Sequence, residues 1–205
     1  IEYARTQTDT VTGREYEADS GAAVVLENDT GRVVAMASYP DYDPNVWVGG
    51  ISTADYARLT DEDANDPLLN RAIQGQGPSG STFKVVSATA AANAGFDWDS
   101  TYNCSSSYNL GGQSFDNFES SAYGPITLGQ AIEVSCNTVF FGIAHQMWQD
   151  DGGIEPVKNP DDWLFETAHG FGLGAQTGID LPDEATGRIP DRQWKQDYWE
   201  ANKDA

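Results

Sequence analysis

Residues 77–84 read Gly-Pro-Ser-Gly-Ser-Thr-Phe-Lys, and the segment that follows is rich in alanine and valine as far as Gly95. A Pro/Gly turn followed by an apolar run predicts a helix over residues 81–94 that ends at this glycine. Because apolar residues occupy nearly all sides of the helix, we expect it to be buried in the middle of a domain. Ser81 and Lys84 are three residues apart, so their side chains share one helix face and the amine lies within reach of the hydroxyl.

Lys84 is one of only four lysines in the chain. An amine that its neighbours desolvate loses its proton more readily and can then accept one from a serine. Such a pair is an activated nucleophile that needs no histidine. The alternative is that Ser81 caps the helix and Lys84 extends its charged end into solvent. The apolar neighbours of Lys84 favour the catalytic interpretation, because an unpaired lysine in such a helix is costly.

Length and composition restrict the class of protein. A chain of 205 residues with 39% hydrophobic and 11% aromatic residues is globular and long enough for one domain, or most of one. The net charge of −21 argues against nucleic acid and anionic membrane surfaces as partners. The two cysteines, Cys104 and Cys136, are too few for a disulfide framework, and cysteine counting alone disfavours a bridge between them.

The pattern of apolar residues predicts a hairpin followed by helices. Residues 1–19 are polar and rich in threonine, which is typical of a linker or of the lead into a domain that occupies residues 20–205. Two valine-rich runs, 22–27 and 32–38, flank Asn-Asp-Thr-Gly and indicate a β-hairpin. Because no regular βαβ alternation follows, we expect an α/β fold of the α+β type, an antiparallel sheet flanked by helices. Further helices are predicted at 53–59, 127–134, 137–147 and 161–169 (capped by Asp161), and loops at 103–123 and 149–160.

A second motif, Ser135-Cys136-Asn137, lies where one predicted helix ends and the next begins. A serine and an asparagine at such a break present a hydroxyl and an amide from the same loop. The hydroxyl can relay a proton, while the amide can orient the lysine and bind a substrate carbonyl. The alternative is that Asn137 only caps the second helix.

In this order the two motifs resemble those of the serine penicillin-recognising transpeptidases, whose signature joins Ser-x-x-Lys, Ser-x-Asn and Lys-Thr-Gly. The flanking sequence, over roughly residues 20–200, resembles that of the class B (monofunctional) penicillin-binding proteins and suggests an actinobacterial source. The resemblance implies the penicillin-binding transpeptidase fold, which is like that of the serine β-lactamases. The similar stretches are residues 21–26, 35–40, 42–45, 124–128, 135–141, 172–174, 178–182 and 187–190.

The resemblance also implies a role for the residues of the two motifs. Ser81 would be the acylated nucleophile, with its backbone N–H as one oxyanion donor at a helix start. Lys84 would be the general base of this serine. Ser135 would relay the proton to the leaving group, and Asn137 would hold Lys84 and bind the amide of the substrate. No cofactor and no metal are implied.

One part of the family signature is missing from the sequence. The Lys-Thr-Gly motif, whose strand binds the substrate carboxylate and supplies the second oxyanion donor, does not occur. Gln176-Thr177-Gly178 lacks the lysine. We expect the third motif beyond Ala205, so that residues 20–205 are the N-terminal and central portion of a transpeptidase domain whose C-terminal part is missing.

The implied function is that of a peptidoglycan D,D-transpeptidase that acts through an acyl-enzyme on Ser81 and is a target of β-lactam antibiotics. Peptidoglycan stem peptides and β-lactams are the expected ligands, and a membrane glycosyltransferase is the expected partner of the full-length protein. The expected location is the extracytoplasmic face of the cell membrane, through an N-terminal anchor that this chain lacks. The alternatives are a β-lactam sensor or β-lactamase with the same Ser81/Lys84 pair, and a non-catalytic wall-binding domain.

Other motifs carry less weight. Residues 75–80 spell G-x-G-x-x-G, but the residues before them make a poor strand and no βαβ unit surrounds them, which argues against dinucleotide binding. A Ser-His-Asp hydrolase is disfavoured because His145 and His169 lie in predicted helices and G-x-S-x-G is not formed. The acidic residues of loop 149–160 are interpreted as a solvated surface rather than a cation site.

Overall fold

The computed structural model describes residues 2–10, 12–16, 18–155 and 157–203. These residues form two compact units. One holds the residues up to Gly77 together with Gly178–Ala185, and the other holds Pro78–Thr177 together with the residues from Thr186 onward. The predicted segments 1–19 and 149–160 each include residues outside this description, and the domain boundary at residue 20 stays a prediction.

The described residues form six short β-strands and eight α-helices. The strands are β1 (Gly21–Leu26), β2 (Val33–Tyr39), β3 (Tyr102–Cys104), β4 (Ser107–Leu110), β5 (Gln113–Asp116) and β6 (Gly124–Ile126). The helices are α1 (Glu2–Arg5), α2 (Thr53–Leu59), α3 (Arg71–Gln74), α4 (Lys84–Asn93), α5 (Leu128–Glu133), α6 (Asn137–Asp150), α7 (Trp163–Gly170) and α8 (Arg192–Asn202). Among these, no helix combines the length and the apolar character that crossing a lipid bilayer requires.

The strands pair antiparallel in three separate two-stranded sheets: β1 with β2, β3 with β6, and β4 with β5. The expected α+β architecture is therefore confirmed. In the first unit the β1–β2 hairpin pairs Val24 with Met36. Gly31 closes its turn at a φ of 70°, a left-handed conformation that glycine adopts without steric penalty. The hairpin was predicted from the sequence, as was α2 with the same bounds.

Helix α3 leads directly into the G-x-G-x-x-G run at residues 75–80. The backbone N–H of Arg71, its first residue, donates to the Ser38 hydroxyl at 3.0 Å and so ties the helix to strand β2. Because a helix and not a strand precedes the run, the run does not have the setting of a dinucleotide site.

The core of the second unit lies among α4, α5 and α6. The core contributions of α4 and the alanine of α5 are small, whereas α6 contributes the larger Val139, Phe140, Ile143 and Met147 to the same cluster. The prediction that the first of these helices is buried on all sides is wrong: Val85 is 54% exposed, and Ala92, two turns further along the same face, is exposed as well. The buried core residues are Ala88, Ala91, Cys104, Ile126, Leu128, Ala131, Cys136, Val139, Phe140, Ile143 and Met147.

The prediction of a loop at 103–123 is also wrong, because β4, β5 and most of β3 lie there. Serine, asparagine and glycine have low strand propensity, so the sequence gives little local signal for strands. Pairing provides the missing hydrogen bonds: β3 pairs with β6, some 20 residues further along the chain, and β4 and β5 pair around Gly111 and Gly112. Both glycines have positive φ, 59° and 81°, which the tight turn requires.

The start of α7 differs from its prediction too. The helix begins at Trp163 and its preceding residue is Asp162, whose side chain makes no capping hydrogen bond. Distant contacts fix this segment, since the carboxylate of Asp151 accepts the backbone N–H of Asp161 at 2.9 Å and Arg192 Nε donates to Asp162 Oδ1 at 2.7 Å. Asp161 is therefore not the cap.

Candidate active site

The first motif lies at the start of helix α4. Ser81 belongs to a 3₁₀ helix, Gly80–Phe83, that runs into α4, of which Lys84 is the first residue. Gly80 enters this turn at a φ of 56°, which favours glycine. Helical geometry then brings the two side chains together as predicted, with Lys84 Nζ 3.1 Å from Ser81 Oγ.

The second motif lies at the break between α5 and α6. Thr127 and Gln130 begin α5 with a reciprocal capping box. After α5 the chain reverses at Ser135, which has a φ of 55°. Ser135 N–H donates to the carbonyl of Ile132 at 3.0 Å, and Cys136 N–H donates to that of Ala131 at 2.8 Å. This reversal turns both the carbonyl and the hydroxyl of Ser135 toward α4.

The structure brings all four predicted site residues into one hydrogen-bonded cluster. Lys84 Nζ lies 2.6 Å from the carbonyl oxygen of Ser135, 2.9 Å from its hydroxyl and 2.5 Å from Asn137 Oδ1. Ser135 Oγ lies 3.0 Å from Ser81 Oγ. The amine and the two hydroxyls therefore all lie within hydrogen-bonding distance of one another, so a proton can pass between any two of them.

The hydrogen-bond partners around Lys84 match the donors of a neutral amine. An ammonium has three N–H donors, and four acceptors surround Nζ. A neutral amine has two N–H donors, which match the two groups that can only accept, the carbonyl of Ser135 and Oδ1 of Asn137. Its lone pair then faces the two hydroxyls, where it can accept a proton.

Burial also favours the neutral form of Lys84. Lys84 is 8% exposed. Desolvation by burial lowers the pKa of its amine below the ordinary value of 10.5. The amine therefore reaches its neutral, basic form at a lower pH than a surface lysine does, which suits a general base.

Asn137 is held at both ends of its side chain. Its Oδ1 accepts from Lys84, and its Nδ2 donates to the backbone carbonyl of Asp116 at 3.0 Å. Because the carbonyl of Asp116 can only accept, the amide nitrogen must face it, and the amide has a single orientation. Asn137 is the first residue of α6 and not its cap, since the capping position is Cys136.

Sequence reasoning missed two features next to the second motif. Cys136, its middle residue, forms a disulfide with Cys104 of β3, which corrects the expectation drawn from cysteine counting. Cys104 ends strand β3, whose pairing with β6 the sequence did not indicate. Asn117 binds the backbone of the second motif from 20 residues upstream. No local pattern marks this asparagine, since it lies in a stretch rich in serine, asparagine and glycine.

The interpretation of residues 149–160 as a solvated acidic surface is wrong for one residue. Asp151 is buried, and its Oδ2 lies 2.9 Å from Arg192 Nη2. The guanidinium of Arg192, the first residue of α8, therefore neutralises the buried carboxylate. The histidines lie in helices as predicted, and His145 Nδ1 shares a hydrogen bond of 2.6 Å with the hydroxyl of Tyr108.

The sequence has close relatives among characterised proteins. It is 34% identical over 188 residues to the peptidoglycan D,D-transpeptidase MrdA of Acinetobacter baumannii, a match that covers 90% of this chain and 26% of that protein. It is 37% identical over 183 residues to MrdA of Escherichia coli K12, covering 87% of this chain and 27% of that protein. This chain therefore spans about a quarter of the length of the curated relatives it matches.

Solved structures agree with these relatives. The crystal structure of Pseudomonas aeruginosa PBP2 in complex with WCK 5153 aligns with a TM-score of 0.74 and 34% identity, over 89% of this chain and 39% of that chain. A chain from a peptidoglycan synthase complex, studied for its coordination of polymerization and crosslinking, aligns with a TM-score of 0.73 and 38% identity, over 87% of this chain and 29% of that chain.

The family assignment rests on nearly the whole chain. Residues 21–203 match the family described as the penicillin binding protein transpeptidase domain. Relatives named as D,D-transpeptidases and the PBP2 structure confirm the class B resemblance drawn from the sequence around the two motifs, while the actinobacterial source stays a prediction. The chain belongs to the penicillin-binding protein transpeptidase domain family.

Proposed function

We propose that this chain carries the acylation site of a peptidoglycan D,D-transpeptidase, with Ser81 as the nucleophile. The observation that carries the proposal is the cluster in which a buried lysine lies within hydrogen-bonding distance of two serine hydroxyls and one asparagine amide. The D,D-transpeptidase names of the relatives and the penicillin-binding name of the family support the choice of substrate.

The proposed acylation begins with proton transfer from Ser81 Oγ to the neutral amine of Lys84. The freed oxygen attacks the carbonyl carbon of the penultimate D-Ala and forms a tetrahedral intermediate. As that intermediate collapses, the bond to the terminal D-Ala breaks, and the proton moves from Lys84 through the hydroxyl of Ser135 to the departing amine. The products are free D-Ala and an ester on Ser81, which an amine of a second peptidoglycan strand then converts into the crosslink.

Two further groups are proposed to hold the substrate. The backbone N–H of Ser81 lies in the first turn of a helix, where amides have no intrahelical acceptor, and it is assigned to the developing oxyanion. Asn137 Nδ2 uses one N–H for the carbonyl of Asp116, and its second N–H is assigned to an amide carbonyl of the stem peptide. Substrate carboxylate binding is assigned to the Lys-Thr-Gly motif, which does not occur among these 205 residues. We place that motif in a segment beyond Ala205.

The cellular setting is proposed from the same relatives. A membrane glycosyltransferase is the proposed partner, because a structural neighbour belongs to a synthase complex that couples polymerization to crosslinking. A crosslinking enzyme must meet finished peptidoglycan strands, so we place the protein at the extracytoplasmic face of the cell membrane. The anchor itself is proposed to lie in a segment that precedes this chain.

A labelled β-lactam tests the proposed function in the full-length protein. Incubation is expected to add the mass of one opened β-lactam to the peptide that contains Ser81, and Ser81→Ala is expected to abolish the adduct. Ser79→Ala is the matched control, because Ser79 lies two residues before Ser81 and its side chain makes no capping hydrogen bond. An adduct that persists in Ser81→Ala would refute the nucleophile, and rapid release of opened drug would indicate a β-lactamase instead.

A further inference from the structure

We propose that Asn117 is a positioning residue for acylation: it fixes the backbone at Asn137 and thereby holds the amide of Asn137 against Lys84. The inference rests on the proposed function and adds a residue outside the motifs. Asn117 follows strand β5 and is 7% exposed, so its polar side chain is held inside the unit.

The oxygen of this side chain caps helix α6 from a distance. Asn117 Oδ1 accepts the backbone N–H of Asn137 at 2.8 Å and that of Thr138 at 3.1 Å. The first amides of a helix have no intrahelical acceptor, and the residue before the helix normally supplies one from its own side chain. Here that residue is Cys136, which is committed to the disulfide and makes no capping hydrogen bond. Asn117 takes over the capping role.

The nitrogen of the same side chain is also fully used. Asn117 Nδ2 donates to the carbonyl of Ser105 at 2.8 Å and to that of Ser121 at 2.7 Å. Its two N–H donors and the two lone pairs of Oδ1 thus all have partners, which leaves the amide one orientation and one position. The carbonyl of Ser105, between β3 and β4, also accepts the hydroxyl of Thr138 at 2.8 Å, so α6 is held at a second point.

Asn137, whose backbone N–H Asn117 caps, also contacts Lys84. Asn137 lies 2.5 Å from Lys84 through Oδ1, and it is held through its backbone by Asn117 and through Nδ2 by the carbonyl of Asp116. Two consecutive residues therefore fix both the main chain and the side chain of Asn137. If the cap is lost, the start of α6 is free to shift, the contact with Lys84 lengthens, and the amine loses one of the two obligate acceptors that orient its lone pair.

The test measures acylation by a fluorescent β-lactam in the full-length protein, with the covalent step separated from the preceding binding step. Asn117→Ala is expected to slow the covalent step by about 10–100-fold while the dissociation constant of the non-covalent complex changes little, because the fault lies in orientation. The pH dependence of the covalent step is expected to change as well, since one hydrogen-bond partner of the base is displaced.

Two further variants separate positioning from general destabilisation. Asn117→Asp keeps an acceptor for the two amides of α6 but puts an oxygen where Nδ2 donates to the carbonyls of Ser105 and Ser121. It is therefore expected to lose stability and to recover only part of the rate that Asn117→Ala loses. Asn93→Ala removes a side-chain hydrogen bond to Thr167 in the same unit. It is expected to lower the melting temperature without altering the covalent step or its pH dependence.

The outcomes decide the inference independently of the proposed function. An adduct on Ser81 in the unaltered protein establishes the function whatever the Asn117 variants do. A covalent step unchanged in Asn117→Ala, or slowed equally in Asn117→Asp and Asn117→Ala, would overturn the positioning role. If Asn117→Ala does not fold, Asn117→Asp is compared with the unaltered protein: a slowed covalent step with a changed pH profile supports the inference, and a rate and pH profile that are both unchanged contradict it.

Discussion

The two halves of the active site are held in place by different means. Ser81 and Lys84 belong to one helical turn, so local backbone geometry alone sets their separation. Ser135 and Asn137 depend on partners far along the chain, through the disulfide of Cys136 and the cap from Asn117. A nucleophile and its base can thus be encoded in four consecutive residues, whereas the proton relay and the amide need the folded unit around them. Variants of Ser81 and Lys84 should change the acylation rate directly. Variants around Ser135 and Asn137 should change it by moving these residues and by lowering the stability of the unit.

Lys84→Arg gives the largest expected effect, because it replaces the base with a group that is permanently protonated. Arginine stays protonated at any accessible pH and cannot accept a proton from Ser81. The acylation rate constant is expected to fall by about 10²–10⁴-fold. Stopped-flow fluorescence with a labelled β-lactam measures it, and Lys195→Arg on exposed α8 is the control. A rate within a few-fold of the unaltered protein would show that Lys84 is not the base.

The pH dependence of the unaltered protein comes next in size. Burial lowers the pKa of Lys84. Below that pKa the neutral fraction grows about tenfold for each unit of pH, so acylation is expected to accelerate with rising pH and to level off below the ordinary 10.5. The rate is measured in buffers of constant ionic strength from neutral to alkaline pH. Lys84→Arg is expected to lose this rise, and the same rise in Lys84→Arg would assign the titration to another group.

The same contrast explains how much the sequence could predict. The Ser81–Lys84 distance follows from three-residue helical spacing, and the helix break at Ser135 follows from the change in apolar pattern, so both were predicted. The left-handed φ of Ser135 was not, because no glycine marks it. Asn117 was missed because capping a helix from another part of the chain leaves no mark near the helix.

The fold shows the same division between local and distant causes. The β1–β2 hairpin and α2 carry their own turn and cap residues and were predicted. Strands β3 to β5 have weak intrinsic propensity and exist through pairing, so the segment was taken for a loop. The disulfide was missed for that reason, since Cys104 is the last residue of β3, a strand that the sequence did not indicate.

Removing the disulfide tests how far the second half depends on distant partners. The double variant Cys104→Ala/Cys136→Ala removes a crosslink between residues separated by 32 positions in the sequence. Chain entropy predicts a loss of about 4 kcal/mol in the free energy of unfolding for a loop of this length. Urea unfolding of both proteins measures it. Acylation is expected to slow at temperatures where both proteins remain folded, because Cys136 lies between Ser135 and Asn137.

Reduction of the unaltered protein provides the matching control, with dithiothreitol in place of mutation. It is expected to lower the unfolding midpoint in the same direction, whereas the double variant is expected to be insensitive to the reductant. Unfolding curves that coincide with and without reductant would mean that the bridge does not stabilise the second half.

The smallest expected effect comes from the backbone conformation of Ser135, which two variants distinguish from the role of its hydroxyl. Ser135→Ala and Ser135→Gly both delete the hydroxyl that lies between Ser81 and Lys84, so both are expected to slow acylation to a similar extent. They differ in backbone preference, because the φ of 55° at this position costs alanine but not glycine. Ser135→Gly is therefore expected to be more stable than Ser135→Ala by about 1 kcal/mol. If the two variants acylate equally slowly but differ in stability, the surrounding unit holds position 135 in the left-handed conformation even when the residue there disfavours it. Equal stability would instead mean that the chain at the second motif relaxes once the hydroxyl is gone, and that the hydroxyl itself maintains the turn.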